Sequence, residues 1–101
     1  MKLAGQVAVV VGGARGIGEA IGHLFSKEGA NIVLVDVDKA KSQLDGVTQA
    51  INQHGGNAIA FVADASDDAQ VNNMVNKVVE RYGKIDILIN SAGINVPIVP
   101  G

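Results

Sequence analysis

The chain has 101 residues, 48% of them apolar, with a net charge of −2; those values bound it to one globular domain or part of one and argue against a disordered chain. It has no basic run and no cysteine, so neither nucleic acid nor an anionic membrane surface is the expected partner, and a disulfide framework or thiolate metal site is excluded. No stretch approaches the roughly 20 apolar residues of a membrane span, nothing at Met1-Lys2-Leu3-Ala4-Gly5 resembles a secretory leader, and a soluble, cytoplasmic protein is expected.

The first predicted element is a strand over Val7 to Val11, an unalternated apolar run of the kind buried on both faces of a parallel sheet. Glycines follow at Gly12, Gly13, Gly16 and Gly18, and a helical pattern begins at about Ile17. Strand, glycine turn and helix in that order are the context of a dinucleotide-binding turn. Gly12 would let the chain turn sharply, Gly16 would let the backbone approach a pyrophosphate, and Gly18 would let the helix pack close to the sheet. The N–H groups at the helix start, at its positive dipole end, would face the phosphates.

The first helix is expected over about Ile17 to Glu28, with Ile17, Ala20, Ile21, Leu24 and Phe25 on one buried face and Gly29 as its stop. A second buried strand, Asn31 to Val35, ends at Asp36, eighteen residues after Gly18. That spacing is close to the roughly twenty expected for an acid on ribose hydroxyls; the plain alternative is a solvated loop carboxylate. A second helix, about Lys39 to Gln53, places Ala40, Leu44, Val47 and Ile51 on one face. Gly46 weakens it by up to about 1 kcal/mol relative to alanine. His54-Gly55-Gly56 ends it, and a third strand, Ala58 to Ala63, leads to Asp64 and Ala65.

Ser66 is read as an N-cap, with Asp67 and Asp68 in the first turn of a third helix, about Asp67 to Tyr82. Its broad stripe, Val71, Met74, Val75, Val78, Val79 and Tyr82, should be well buried. Gly83 ends it, and a fourth strand runs from Ile85 to Asn90, followed by Ser91-Ala92-Gly93. Residues 94 to 101, with two prolines, read as an extended tail. The fold class is therefore α/β: three layers around a parallel four-stranded sheet in order 3-2-1-4, a Rossmann-type half, with residues 1–93 as its domain. Right-handed crossovers put the first two helices on one face and the third on the other.

Gly12-Gly13-Ala14-Arg15-Gly16-Ile17-Gly18, Asp64 after strand three and Asn90-Ser91-Ala92-Gly93 after strand four together resemble the short-chain dehydrogenase/reductase family, over nearly the whole chain. The resemblance implies hydride transfer between a nicotinamide and an alcohol or ketone. It assigns the pyrophosphate to Gly12 and to Gly16, Ile17 and Gly18, with Ala14 and Arg15 of the same turn as further cofactor-binding candidates, and the adenosine ribose to Asp36. Adenine falls to Asp64, with Ala65 beside it as a further cofactor-binding candidate, and the lining of the cofactor to Asn90, Ala92 and Gly93. Two departures stand out. Val11 replaces the family's usual threonine, so one hydroxyl that could brace the turn is missing. Ser91 replaces the second asparagine, keeping a hydroxyl with shorter reach.

The family's catalytic serine and Tyr-x-x-x-Lys would lie after strand four. The single tyrosine, Tyr82, is followed four residues on by Asp86, not lysine, and its place on an apolar stripe makes it a core residue. The sequence thus looks like the N-terminal part of such an enzyme, with no catalytic residue of its own and inactive alone. A small-molecule substrate would require a C-terminal half. Asp36 would repel a 2′-phosphate and Val37 offers no cation, so NAD is favoured over NADP; Arg15 is the one residue that could reach such a phosphate. His23 and His54 have no acid or cysteine at ligand spacing and are read as solvated or packing residues, with no metal implied. Two other readings stay open: a non-catalytic NAD or adenylate module, and, more remotely, an S-adenosylmethionine-dependent methyltransferase. The apolar edge of strand four suggests self-association.

Overall fold

Residues 1–91 are described by a computed structural model. The proposed tail and two candidate cofactor residues, Ala92 and Gly93, lie outside the described residues. Valine- and isoleucine-rich runs make four strands: β1 (Val7–Val11), β2 (Asn31–Asp36), β3 (Asn57–Val62) and β4 (Ile87–Asn90). Three helices connect them: α1 (Gly16–Lys27), α2 (Lys41–Gln53, entered through a single 3-10 turn at Asp38–Ala40) and α3 (Asp68–Tyr82). All strand pairs are parallel and the order is β3-β2-β1-β4, the 3-2-1-4 layout expected. Val11 pairs with Val35 on one side and Asn90 on the other. The carboxyl ends of β1, β2 and β4 are therefore level, and the segments after them converge.

β1 is buried at all five positions because helices cover both of its faces. On one face, Ala8, Val10, Ile32 and Leu34 pack with Leu44, Val47 and Ile51 of α2. On the other, Val7, Val9, Val11, Val33 and Val35 pack with Met74 and Val78 of α3. Each such valine or leucine contributes about 1.5–3 kcal/mol of burial.

The expected stripe of α2 is the buried one; in α3 only Met74 and Val78 are buried, Val71, Val75 and Tyr82 are half-buried and Val79 is 42% exposed, so α3 is less covered than its breadth suggested. In α1 the expectation fails. Ile17 is 73% and Leu24 56% exposed, and Ala20 is exposed too. The buried residues of α1 are Gly18 and Gly22, with Ile21 and Phe25 half-buried. At Gly22 an added Cβ would stand 3.1 Å from a Leu34 methyl, so α1 lies against the sheet on its glycines.

Two boundaries differ from those expected. α3 is capped by Asp67, whose carboxylate accepts from the Ala69 and Gln70 amides, while Ser66 donates instead to Asp64. β4 begins at Ile87 because Asp86 closes the ladder by other means. Its amide donates to the Val7 carbonyl at 2.9 Å and its carboxylate accepts the Val7 amide at 2.7 Å. Tyr82 is half-buried against the α3-side cluster, with the Arg81 guanidinium 5.5 Å from its ring centroid.

Candidate dinucleotide site

The glycine turn leaves β1 at Gly12, whose φ of +82° is a left-handed conformation suited to glycine. The amides of Gly12 and Gly13 both donate to the Val35 carbonyl, at 2.7 and 3.1 Å, which swings the chain over the end of β2. A Cβ at Gly13 would lie 2.8 Å from a Leu34 methyl and 3.1 Å from the Val10 carbonyl, so a side chain at this position would have to displace Leu34.

Gly16 and Gly18 do opposite things. Gly16 has φ +62° and open space where a Cβ would be. Gly18 has no room at all: a Cβ would run into the Gly12 carbonyl and stand 2.6 Å from the Ser91 hydroxyl. The start of α1 is thereby pressed onto the turn while the Gly16 side stays open. Arg15 stands at the N-cap with extended backbone and makes no side-chain bond to the first turn, in contrast to Asp67 on α3. An uncapped helix start beside an open glycine is a surface that backbone N–H groups and the helix dipole make receptive to phosphate.

Asp36 ends β2 beside this turn. Its carboxylate accepts the Ala14 amide at 3.1 Å and the Val37 amide at 2.8 Å, one on each oxygen. Each carboxylate oxygen has a second lone pair, so ribose hydroxyls can still be accepted. Asp64 stands past the neighbouring strand, where the Ala63 amide donates to the Asp36 carbonyl at 3.0 Å. The Ser66 hydroxyl and amide both donate to Asp64 Oδ1, at 2.7 and 2.9 Å, and they hold its carboxyl below the usual range, hydroxyl foremost. Asp64 is thus an ionised acceptor. Ala65 is half-buried beside it, and Asn90 closes β4 opposite Val11.

Of the sequence-predicted positions, Gly12, Ala14, Arg15, Gly16, Ile17, Gly18 and Asp36 form one contiguous set with Asn90 at its flank. Asp64 and Ala65 extend that set along the carboxyl edge. The residues fit a dinucleotide: an open glycine for the pyrophosphate, an acid placed for a ribose, a second acid beyond it. Sequence reasoning missed Gly13 and Gly22, and the i, i+4 spacing of Gly18 and Gly22 was the available signal.

A cleft of about 580 Å³ lies away from the glycine turn, lined by Met1, His23, Ser26, Lys27, His54 and Gly56 at the opposite, amino end of β2 and β3. Lys27 is in the last turn of α1 and His54 at the C-cap of α2, where the helix dipole favours such groups. The His54 ring is bonded through Nδ1 to the Ala50 carbonyl. Among the described residues no cluster of three His, Cys, Asp or Glu could hold a metal, and no helix is long and apolar enough to cross a membrane.

A family model described as short chain dehydrogenase matches residues 6–99. An uncharacterized oxidoreductase of Methylorubrum extorquens is 42% identical over 93 residues, which is 92% of this chain and 37% of that protein. A 3-oxoacyl-(acyl-carrier-protein) reductase of Thermotoga maritima is 38% identical, over 93% of this chain and 37% of its own length. Among solved structures, a metagenomic short-chain oxidoreductase in complex with NADP superposes with TM-score 0.87 at 36% identity, covering 93% of this chain and 42% of that one. An NAD+-bound xylitol dehydrogenase superposes at 0.86 with 32% identity, covering 93% and 35%. The chain therefore spans a little over a third of the length of the curated relatives it matches.

Proposed function

The chain belongs to the short-chain dehydrogenase family, and on that premise we propose that residues 1–93 are the cofactor-binding half of an NAD-dependent oxidoreductase acting between an alcohol and a ketone. The observation that carries this reading is the pairing of the open, uncapped turn at Gly16 with the Asp36 carboxylate bonded to Ala14. Gly12 to Gly18 would hold the pyrophosphate, Asp36 the adenosine ribose and Asp64 the adenine end. When bound, the nicotinamide supplies the hydride acceptor or donor. What this chain's residues do is bind and orient it. Neither a non-catalytic module nor a methyltransferase draws support from the relatives.

The preference for NAD rests on charge. A 2′-phosphate would sit against Asp36, which is already bonded through both oxygens and cannot swing away without releasing Ala14 and Val37. The relatives' structures include both cofactors, so the choice for this chain rests on Asp36. Calorimetric titration of NAD and NADP into the chain should show NAD tighter by about tenfold, about 1.4 kcal/mol, with the gap closing in Asp36→Ala. Equal affinity in the unmutated chain would sink the proposal. A cytoplasmic site of action, where such a cofactor is available, belongs to the same reading.

The 101-residue chain alone is proposed to be inactive. Tyr82 has Asp86, not lysine, four residues on, and it packs against the α3-side cluster, so no general acid of the required kind is in place. An alcohol screen with NAD should show no reduced cofactor. Turnover that disappears in Tyr82→Phe would overturn this.

A further inference from the structure

We infer that Ser91 is the positioning residue of the glycine turn: its hydroxyl, reaching across from the end of β4, sets where the start of α1 stands against a dinucleotide. This rests on the cofactor-binding reading above. Val11, the last residue before the turn, has no hydroxyl to brace it. Ser91 supplies one from the neighbouring strand. Its Oγ donates to the Val11 carbonyl at 2.9 Å and lies 3.2 Å from the Gly12 carbonyl, one proton shared between two acceptors. Its amide donates to the Val11 carbonyl as well, at 2.8 Å.

The third side of the contact is α1. The space a Cβ would need at Gly18 is closed by the Gly12 carbonyl and by Ser91 Oγ together. Strand end, turn and helix start therefore meet at one hydroxyl, and the one-carbon reach of serine matches the gap. Removing the hydroxyl leaves the Gly12 carbonyl without this donor and opens a space beside Gly18 into which the helix start can move. The effect falls on the phosphate end of the site. Asp36 keeps its bond to Val37 and Asp64 its two bonds to Ser66, none of which involves the turn, so the adenosine end should be largely spared.

The test uses the full chain and two ligands. Adenosine probes only the Asp36 and Asp64 end; ADP-ribose adds the pyrophosphate. Ser91→Ala should weaken ADP-ribose by about tenfold, the scale of one lost hydrogen bond, and change adenosine by less than about twofold. Ser91→Thr, which keeps the hydroxyl, should restore ADP-ribose binding. Equal losses for both ligands would mean a general structural role and overturn the inference, as would unchanged ADP-ribose binding. Should the unmutated chain bind no ADP-ribose, the cofactor-binding reading fails, and Ser91 is then judged without ligand. Amide hydrogen exchange at Gly12, Gly13 and Gly18 should be faster in Ser91→Ala and restored in Ser91→Thr, whereas unchanged exchange overturns it.

Discussion

Gly16 and Gly18 are two residues apart, and an added methyl group should have opposite consequences at each. At Gly16 nothing lies within 4 Å of the new Cβ. The cost is conformational, because φ is +62°: about 1–2 kcal/mol for an L-residue in the left-handed region, offset by about 0.4–1 kcal/mol from the stiffer unfolded chain. The net loss is about 1 kcal/mol, or about 4–8 °C in Tm for a domain of this size. At Gly18 the methyl group meets a backbone carbonyl that no rotamer change can remove. Overpacking of that kind costs about 3 kcal/mol, the top of the usual range, against about 1 kcal/mol regained from alanine in a helix. The net is about 2 kcal/mol, or about 8–16 °C. Binding should rank differently from stability. The Gly16→Ala methyl projects into the open space where the proposed pyrophosphate would sit, so ADP-ribose affinity should fall about tenfold or more in a chain whose Tm drops less than that of Gly18→Ala. Thermal melts by circular dichroism with calorimetric titration of ADP-ribose measure both. A Gly18→Ala chain that melts with the unmutated one, or a Gly16→Ala chain that binds equally well, would refute the division of labour between open and closed glycines.

Asp86 is held below the ordinary carboxylate range first by the Val7 amide and then by Lys84. Its contribution is thus full above the unfolded pKa of about 3.9 and is lost as pH falls through the lower folded value; urea melts across that acid range should show a shallower decline in Asp86→Asn. Asp67→Ala, which removes the cap of α3, should cost about 1 kcal/mol while Ser66→Ala costs less, and denaturant melts reversing that order would restore Ser66 as the cap. Leu88 is 59% exposed on the edge strand, sharing with Val9 the face that α3 covers only in part. The chain should therefore self-associate, and light scattering over a concentration series should find Leu88→Lys more monomeric than the unmutated chain.

The strands and their order were legible in the residues. Val7 to Val11 and Ile32 to Val35 have no polar position, which fits a sheet covered on both faces, and a doubly wound unit with its switch at strand one and right-handed crossovers then gives 3-2-1-4. The stripe of α2 was equally plain, because Leu44, Val47 and Ile51 are large and apolar and have one place to go. α1 was not legible from its apolar stripe. Periodicity counts hydrophobic side chains, and α1 sits on the sheet through Gly18 and Gly22, which have none; close approach chose the buried face, and Ile17, Ala20 and Leu24 were turned outward. The cofactor motif could be named from Gly12 to Gly18 and Asp36 because phosphate and ribose recognition demand those residue types at those intervals. How the turn is held in shape was decided only by tertiary structure. The Ser91 hydroxyl finds Val11 and Gly12 across about eighty residues of chain, and Asp86 finds Val7 in the same way. A hydrogen-bonding side chain reveals in sequence what it can donate or accept; which carbonyl or amide it meets depends on strand register, which exists only once the sheet has formed.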